Sequence, residues 1–217
     1  MVARDHSAVS NANAGSRYRA AIFDLGGVLI DWNPRHLYRK LFPGDEQGME
    51  RFLAEVTTPA WNSKLDAGRP FAEGIAELQT AHPDKAGLIA AYLDRWPEMI
   101  GGVNTDTGQI IRDLKARGLR TYALSDWSAE TFGMARTLVA ELALFDDIQI
   151  SGEARTTKPD PKIFKLALER FRLRPSEAFF VDDVQANVDG AQAAGMTGFL
   201  FTDAAALRRT LEAIGVL

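Results

Sequence analysis

Five short apolar segments alternate with stretches that have the hydrophobic spacing of helices, and this alternation is the strongest constraint on the fold. The segments are YRAAIF (18–23), LRTYALS (119–125), DIQIS (147–151), AFFVD (178–182) and TGFLF (197–201). Short continuous apolar runs are typical of strands that are buried on both faces. Strands of this kind that alternate with helices predict an α/β fold with a doubly wound, parallel five-stranded sheet.

The intervening stretches carry helix start and stop signals. Pro161 stands near the start of one stretch, while Gly118 and Gly195 follow the ends of two others. Proline is favoured in the first turn of a helix and glycine just past its end. The predicted helices cover residues 105–117, 128–140, 160–171, 185–194 and 203–214.

One interval is too long to be a simple connection. Residues 33–104 contain no convincing strand but have four helical patterns, PRHLYRKLF, EQGMERFLAEV, PFAEGIAELQTA and AGLIAAYLDRW. A crossover between parallel strands needs only about a dozen residues. The excess predicts an inserted helical cap domain over 33–104 and a core domain over 18–32 and 105–217, although these helices also suit a layer that simply covers the sheet.

Composition excludes several classes of protein. The chain has 217 residues, a net charge of −4 and no cysteine, so it favours neither nucleic-acid binding nor a disulfide framework, a thiolate nucleophile or a thiolate metal site. It has no apolar run of the roughly 18 residues that a membrane helix needs. The polar stretch over residues 1–17 predicts a flexible N-terminal arm rather than a signal peptide. We therefore expect a cytoplasmic protein with no membrane partner.

Polar side chains stand where the predicted strands end. Asp24 ends the first strand, Ser125-Asp126 the second and Asp182-Asp183 the fourth, and Lys158 follows the third. Open parallel sheets bind ligands at this edge. An aspartate can act as a nucleophile, while a hydroxyl and a lysine can hold phosphate oxygens. Carboxylates bind Mg²⁺. Taken singly, each residue also suits a turn, a helix cap or a solvated loop.

The motifs that contain these residues resemble those of the haloacid dehalogenase superfamily of hydrolases, in order, from about residue 18. The matching segments are FDLGGVL, ALSD, TKPDPKIF and FFVDDVQANVDGA. The first is closest to the D-L-G-x-V motif of a bacterial sugar-phosphatase-like group. The resemblance implies a Rossmann-like core, a helical cap and a small phosphorylated metabolite as substrate.

The resemblance also implies a Mg²⁺-dependent phosphomonoester hydrolase that acts on a small-molecule or sugar phosphate through an aspartyl-phosphate on Asp24. The implied catalytic residues are Asp24, Ser125 and Lys158. The implied metal ligands are Asp24, the Gly26 carbonyl, Asp183 and, directly or through water, Asp182. The implied substrate-binding residues are Leu25 and Gly26 through their amides, Ser125, Asp126, Lys158, and Asn187, which would orient Lys158 or a metal-bound water.

Two positions depart from the family pattern. Gly26 stands where most phosphatases of this family carry a second aspartate, the general acid and base. We expect slow turnover of substrates with alkoxide leaving groups, and a smaller loss of rate with an anomeric sugar phosphate, whose leaving group is already stabilised. Asp31 is a candidate replacement, although a loop or hinge role suits it better. Asp126 replaces the usual asparagine, and we expect it to face the cap.

Three other functions stay open. A 2-haloacid dehalogenase also lacks the second aspartate, but its fourth motif carries Ser-Ser-Asn rather than paired acids. A phosphonate hydrolase needs a cap lysine, for which Lys64 is available. A binding protein with a decayed site is the third.

Substrate specificity is expected to come from the cap. The candidate cleft residues are Arg35, His36, Trp61, Asn62, Lys64 and Arg69. In the competing interpretation, Trp61 packs in the core of the cap and the charged side chains are solvated. The sequence does not predict the oligomeric state.

Overall fold

A five-stranded parallel sheet lies at the centre of the structure, a computed structural model that describes residues 17–217. Its strands are β1 (Ala20–Phe23), β4 (Arg120–Ser125), β5 (Asp147–Ile150), β6 (Ala178–Asp182) and β7 (Thr197–Leu200). They lie in the order β5-β4-β1-β6-β7. The predicted α/β fold with a parallel five-stranded sheet is confirmed. The predicted arm, apart from Arg17, lies outside the described residues.

The strands form because both faces of the sheet are apolar. Ala21 and Phe23 pack into one buried cluster, while their neighbours Ala20 and Ile22 pack into a second. Successive side chains of a strand point to opposite faces, so the two clusters lie on the two sides of the sheet. All four β1 residues are completely buried, as expected for the central strand of a doubly wound sheet.

Helices cover both faces and follow the predicted pattern closely. The helices after the insert are α6 (Thr105–Ala116), α7 (Ala129–Leu138), α8 (Ser151–Ala154), α9 (Pro161–Phe171), α10 (Gln185–Ala193) and α11 (Ala204–Ala213). Side chains cap several N-termini: Asn104 accepts from the Thr107 N–H at 3.1 Å, and Asp160 accepts from the Lys162 N–H at 2.8 Å. The sequence analysis did not predict the short helix α8.

Residues 33–104, hereafter the helical insert, hold five α-helices. These are α1 (Arg35–Leu41), α2 (Glu46–Glu55), α3 (Pro59–Asp66), α4 (Phe71–Ala81) and α5 (Ala86–Asp94). An aromatic group packs among them, with Tyr92 contacting Tyr38, Trp61 and Phe71. The assignment of the insert as a separate cap domain, like the domain boundaries, stays a prediction.

A two-stranded antiparallel sheet closes the ends of the insert. It pairs β2 (Ile30–Trp32) with β3 (Ile100–Val103). The expectation of no strand within 33–104 was therefore wrong at β3. Its sequence, IGGV, has two glycines, which weaken strand propensity, and the strand forms because β2 supplies a partner. Among residues 17–217, no helix is long and apolar enough to cross a membrane.

Candidate active site

The sheet register brings the strand-end residues together. Phe23 of β1 lies beside Val181 of β6, so Asp24 and Asp182 are the next residues of two neighbouring parallel strands. Ser125 is the last residue of β4, on the other side of β1. Lys158 lies in the loop that leads into α9. These side chains therefore meet at the carboxyl edge of the sheet, where open α/β sheets bind ligands.

Lys158 is the centre of a buried ionic group. Its Nζ lies 2.9 Å from Asp24 Oδ1 and 2.6 Å from Asp182 Oδ2. Asp182 is held in turn, because Asn187 Nδ2 donates to Asp182 Oδ1 at 3.0 Å and the Val184 N–H donates to the same oxygen at 2.8 Å. Asn187 thus acts on Lys158 through Asp182 rather than by direct contact. Both Asp182 oxygens accept hydrogen bonds from the protein.

Burial sets the charge balance of this group. The pKa of Asp24 is raised to about 7, because burial and the nearby Asp182 raise it more than Lys158 lowers it. Burial alone would lower the pKa of Lys158, but the carboxylates of Asp24, Asp182 and Asp126 raise it overall. The pKa of Asp183 is raised by burial and by Asp182. Lys158 therefore stays charged, while the carboxyl groups of Asp24 and Asp183 ionise less readily than exposed carboxyl groups.

The donor set fits a hard divalent cation. Asp24, Asp182 and Asp183 each offer a carboxylate oxygen, and these three atoms lie within 4.8 Å of one another. Asp24 Oδ1 is buried and, among residues 17–217, accepts no hydrogen bond of good geometry. A Mg²⁺ ion prefers such oxygen ligands, and its positive charge would favour the ionised form of these carboxyl groups, whose pKa values are otherwise raised.

Two adjacent glycines shape the loop after β1. Gly27 has φ +73°, and a Cβ there would collide with the Asp183 carboxylate. A side chain at this position would therefore displace a candidate metal ligand. Gly26 differs, since no atom of any residue other than Gly26 and its two chain neighbours lies within 4 Å of the position that its Cβ would take. The place where the family pattern has a second aspartate is therefore open space.

Asp126 has a structural partner. Its Oδ1 accepts a hydrogen bond of 3.0 Å from the backbone N–H of Lys158. Burial raises the pKa of Asp126, while nearby Lys158 lowers it. This carboxylate therefore fixes the loop that carries Lys158. Asp31, the proposed replacement acid, is not in this group: it lies in β2, exposed, 3.0 Å from His36 Nε2.

A cavity of about 200 Å³ opens beside Asp24. It is lined by Asp24, Gly26, Trp32, Asn62, Asp66, Phe71, Trp96, Ser125, Asp126, Trp127, Thr131, Lys158, Val184 and Asn187. Both the helical insert and the core contribute side chains. Ser125 lines the cavity, as Lys158 does. Within residues 17–217 its Oγ makes no hydrogen bond, so it is available to a ligand.

Of the six predicted cleft residues, only Asn62 lines this cavity. Trp61 is buried within the insert, where its Nε1 donates to the Gly74 carbonyl at 3.2 Å. Arg35 pairs with Glu50 at 2.6 Å, Arg69 pairs with Glu77, and Lys64 is exposed. The other predicted cleft residue, His36, contacts Asp31.

A family model for haloacid dehalogenase-like hydrolases matches residues 18–195. The chain belongs to this family. It is therefore an enzyme of the hydrolase class, as the motifs imply. The motif pattern and the fold agree with this assignment, since the matched range begins just before β1 and ends just after α10.

Curated relatives of this hydrolase include phosphatases. It is 27% identical over 195 residues to the sesquiterpene phosphatase astK of Aspergillus oryzae, covering 87% of this chain and 92% of the relative. It is 25% identical over 188 residues to the fructose-1-phosphate phosphatase YqaB of Escherichia coli, covering 83% and 94%.

Solved structures share the fold of the hydrolase. A haloacid dehalogenase family enzyme of Bacteroides thetaiotaomicron, in complex with magnesium and inorganic phosphate, aligns with a TM-score of 0.62 at 23% identity, covering 84% of this chain and 93% of that one. An L-2-haloacid dehalogenase of Xanthobacter autotrophicus aligns with a TM-score of 0.64 at 18% identity, covering 92% and 84%. At these identities the likeness shows the fold alone.

Several features of the hydrolase's site were missed by sequence reasoning. The cavity-lining residues Trp32, Asp66, Phe71, Trp96, Trp127, Thr131 and Val184 were not predicted. Trp127 had an available signal, since it directly follows the Ser125-Asp126 motif. The Gly27 requirement also had one, the glycine pair after the nucleophile motif. The insert residues had none, because their place depends on how the helices pack.

Proposed function

We propose that this hydrolase cleaves phosphomonoesters of small molecules, including sugar phosphates, with Mg²⁺ and through a covalent aspartyl-phosphate, an acyl phosphate on Asp24. The observation that carries the proposal is the buried Lys158 between Asp24 and Asp182, beside a third carboxylate, at the floor of a cavity. Phosphatase relatives that match most of the chain support it.

The proposed attack starts at Asp24. A carboxylate oxygen forms a bond to phosphorus as the bond to the leaving-group oxygen breaks. The Lys158 ammonium and the Ser125 hydroxyl bind the non-bridging phosphoryl oxygens, and the Leu25 and Gly26 amides donate to them as well. Water then cleaves the acyl phosphate, which returns Asp24 and releases inorganic phosphate.

Mg²⁺ would be held by Asp24, Asp183 and the Gly26 carbonyl, with Asp182 nearby. When bound, it supplies positive charge to the phosphoryl group and to the surrounding carboxylates. Lys158 and Asp182 have a separate task, because their contact fixes the ammonium beside the nucleophile at 2.9 Å from Asp24 Oδ1. Asn187 and the Val184 N–H hold Asp182 in that position.

The leaving-group oxygen receives no proton from residue 26. We therefore propose that substrates with a stabilised leaving group, such as anomeric sugar phosphates, are turned over best. The measurement is kcat/KM for sugar 1-phosphates against primary-alcohol phosphates of the same sugars. Much faster turnover of the primary-alcohol phosphates would contradict this part of the proposal.

The alternatives have weaker support in this site. The paired acids Asp182 and Asp183 suit a cation and a phosphoryl group rather than halide release from carbon. Phosphonate hydrolysis through a Schiff base needs a lysine in the cavity, and Lys64 is exposed and does not line it. A decayed binding protein is disfavoured because Asp24, Lys158 and Asp182 keep their contacts.

A phosphate-release screen tests the proposal. Sugar phosphates and aryl phosphates are assayed with Mg²⁺ and with EDTA, for the wild type, for Asp24→Asn and for Asp94→Asn, a control on the exposed end of α5. We expect release with Mg²⁺ only, and none for Asp24→Asn. Full activity of Asp24→Asn would refute the nucleophile, release in EDTA would refute the metal, and chloride release from 2-haloacids in place of phosphate release would favour a dehalogenase.

A further inference from the structure

The cavity beside Asp24 has flat apolar walls. Trp96 and Trp127 lie with ring centroids 5.6 Å apart, and both are buried. Trp32, Phe71 and Val184 also contribute to the apolar lining. The volume of about 200 Å³ suits one ring and its substituents, since an apolar cavity of ~150 Å³ can hold benzene. A flat leaving group therefore fits this space.

The polar side chains above the nucleophile are acidic or neutral. Asp66 of α3 enters the cavity from the insert, and Asp126 enters it from the end of β4. Asn62 Nδ2 donates to Asp66 Oδ2 at 2.7 Å, and Tyr92 donates to Asn62 Oδ1 at 2.8 Å. The backbone N–H of Ser128 also donates to Asp66. Asp66 is thus held in place by its neighbours.

No positive charge is left for a second anion. Within residues 17–217, Lys158 is the one basic side chain that lines the cavity, and it already contacts Asp24 and Asp182. The arginines of the insert that sequence reasoning placed near the cleft are paired with glutamates elsewhere. A leaving group with its own carboxylate or second phosphate would meet Asp66 and Asp126 instead of a cation, and unmatched like charges strongly disfavour binding.

We propose, resting on the phosphatase function above, that the cavity selects phosphate esters whose leaving group has a flat apolar face and no second anionic group. Asp66 is the residue that excludes anions, and it accommodates a neutral hydroxyl or a cationic amine at the same place. Aryl phosphates and phosphates of neutral rings satisfy this selection. Bisphosphates and phosphates of carboxylic acids do not.

Three aryl compounds with the same phenyl ring test the selection, two of which carry para substituents of similar size and opposite charge. They are phenyl phosphate, 4-carboxyphenyl phosphate and 4-(aminomethyl)phenyl phosphate, each paired with its non-hydrolysable phosphonate. Phosphate release gives kcat/KM, and calorimetry with saturating Mg²⁺ gives the Kd of each phosphonate. Both are measured at about pH 8.5, because burial and Asp126 raise the pKa of Asp66 to about 7 and its carboxylate must be ionised. The 4-carboxyphenyl ester has the better leaving group of the first two, so chemistry alone would favour it.

We expect the 4-carboxyphenylphosphonate to bind at least about tenfold more weakly than phenylphosphonate, and the aminomethyl compound to bind at least as well as phenylphosphonate. Asp66→Asn should shrink the carboxylate penalty several-fold, while the matched control Asp94→Asn, outside the cavity, should leave it unchanged. If circular dichroism shows that Asp66→Asn does not fold, Asp126→Asn takes its place, together with the ratio of the Kd of 4-carboxyphenylphosphonate to that of phenylphosphonate in the wild type.

The outcomes separate the two proposals. Equal or tighter binding of the carboxylate compound, no binding of any phosphonate, or a penalty that neither substitution changes would overturn the selection. Discrimination among phosphonates without phosphate release from any ester would support the selection and refute the phosphatase function. Phosphate release from all three esters, with no discrimination among them, would support the phosphatase function and overturn the selection.

Discussion

Replacing Gly26 by aspartate should turn a slow enzyme for alkyl phosphates into a faster one. A side chain fits at this position, because no atom of any residue other than its two chain neighbours lies within 4 Å of a Cβ built on Gly26, and its φ is outside the left-handed range. Gly26 lines the cavity next to Asp24, so a carboxyl group there enters the space of the leaving group. The substitution supplies the general acid that the family pattern has and this chain lacks.

The size of the effect follows from two contributions, the gain from general acid catalysis and the shift in the pKa of the new carboxyl group. General acid catalysis is worth about 10²–10⁴-fold, or about 2.7–5.4 kcal/mol at about 1.36 kcal/mol per factor of ten. The new carboxyl would sit near Asp24, Asp182 and Asp183. At a separation of about 6 Å and an effective dielectric constant of about 20, one such neighbour repels it by about 2.8 kcal/mol. That repulsion raises its pKa by about two units, toward 6, which helps it to donate a proton near neutral pH.

The assay compares leaving groups that differ in their need for a proton. For an alkyl phosphate we expect kcat/KM of Gly26→Asp to exceed that of the wild type by at least about 30-fold. For p-nitrophenyl phosphate, whose leaving group departs as a stable anion, we expect a change of less than about threefold. Gly26→Asn is the matched control, because it has the same size and no carboxyl proton.

Three results would refute this reasoning, provided that circular dichroism and Mg²⁺ titration show a folded, metal-binding variant. The first is no gain on the alkyl phosphate. The second is an equal gain on both substrates. The third is an equal gain from Gly26→Asn, which would assign the effect to shape rather than to proton transfer.

Four further predictions follow from buried groups. Asp126→Asn keeps an acceptor for the Lys158 N–H and should unfold in urea at nearly the wild-type concentration, whereas Asp126→Ala should lose about 1–3 kcal/mol. Lys158→Met leaves buried carboxylates unpaired and should cost roughly 3–5 kcal/mol of stability at pH 8 without metal. The cost should be smaller at pH 5, where Asp24, whose pKa burial raises to about 7, takes up a proton, and an equal cost at both pH values would contradict this. Asp183→Asn should weaken Mg²⁺ binding at least about tenfold by calorimetry, since it removes a charged ligand. Burial and Asp126 raise the pKa of Asp66 to about 7, so the folded state binds a proton that the unfolded chain has released, and stability falls as pH rises from about 4 to 7. The stability of Asp66→Asn relative to wild type should therefore increase between pH 5 and pH 8. A difference in stability that does not change with pH would count against the pKa shift.

The sheet and the strand-end group were accessible to sequence reasoning because their signals are local. Each strand is a continuous apolar run, and Asp24, Ser125 and Asp182 stand at strand ends that a parallel sheet places at one edge. The insert was harder in two ways. Strand β3 depends on a partner that is distant in the sequence, as Ile30 pairs with Val103, 73 positions later, and its two glycines weaken the local strand signal.

The lining of the cavity could not be read from the sequence because distant segments share it. Trp32, Asp66, Trp96 and Trp127 come from four parts of the chain, and nothing in their local patterns distinguishes them from Trp61, which packs inside the insert. Asp126 shows the same limit on a smaller scale. Its unusual carboxylate is explained by the backbone N–H of Lys158, a partner 32 positions away.

In the proposed phosphatase, the glycine at position 26 and the aromatic cavity would restrict the substrate independently and in the same direction. Without a general acid, turnover depends on the stability of the departing oxyanion, which favours aryl and anomeric oxygens over alkoxides. The walls formed by Trp96 and Trp127 favour a flat ring directly at the leaving group. An aryl or ring-bound oxygen meets both requirements with one structure. A side chain at position 26 would also narrow the cavity that admits the ring, since Gly26 is part of its lining. The missing acid and the accessible space above Asp24 are thus two consequences of the same residue, and Gly26→Asp should improve the turnover of alkyl phosphates far more than that of aryl phosphates.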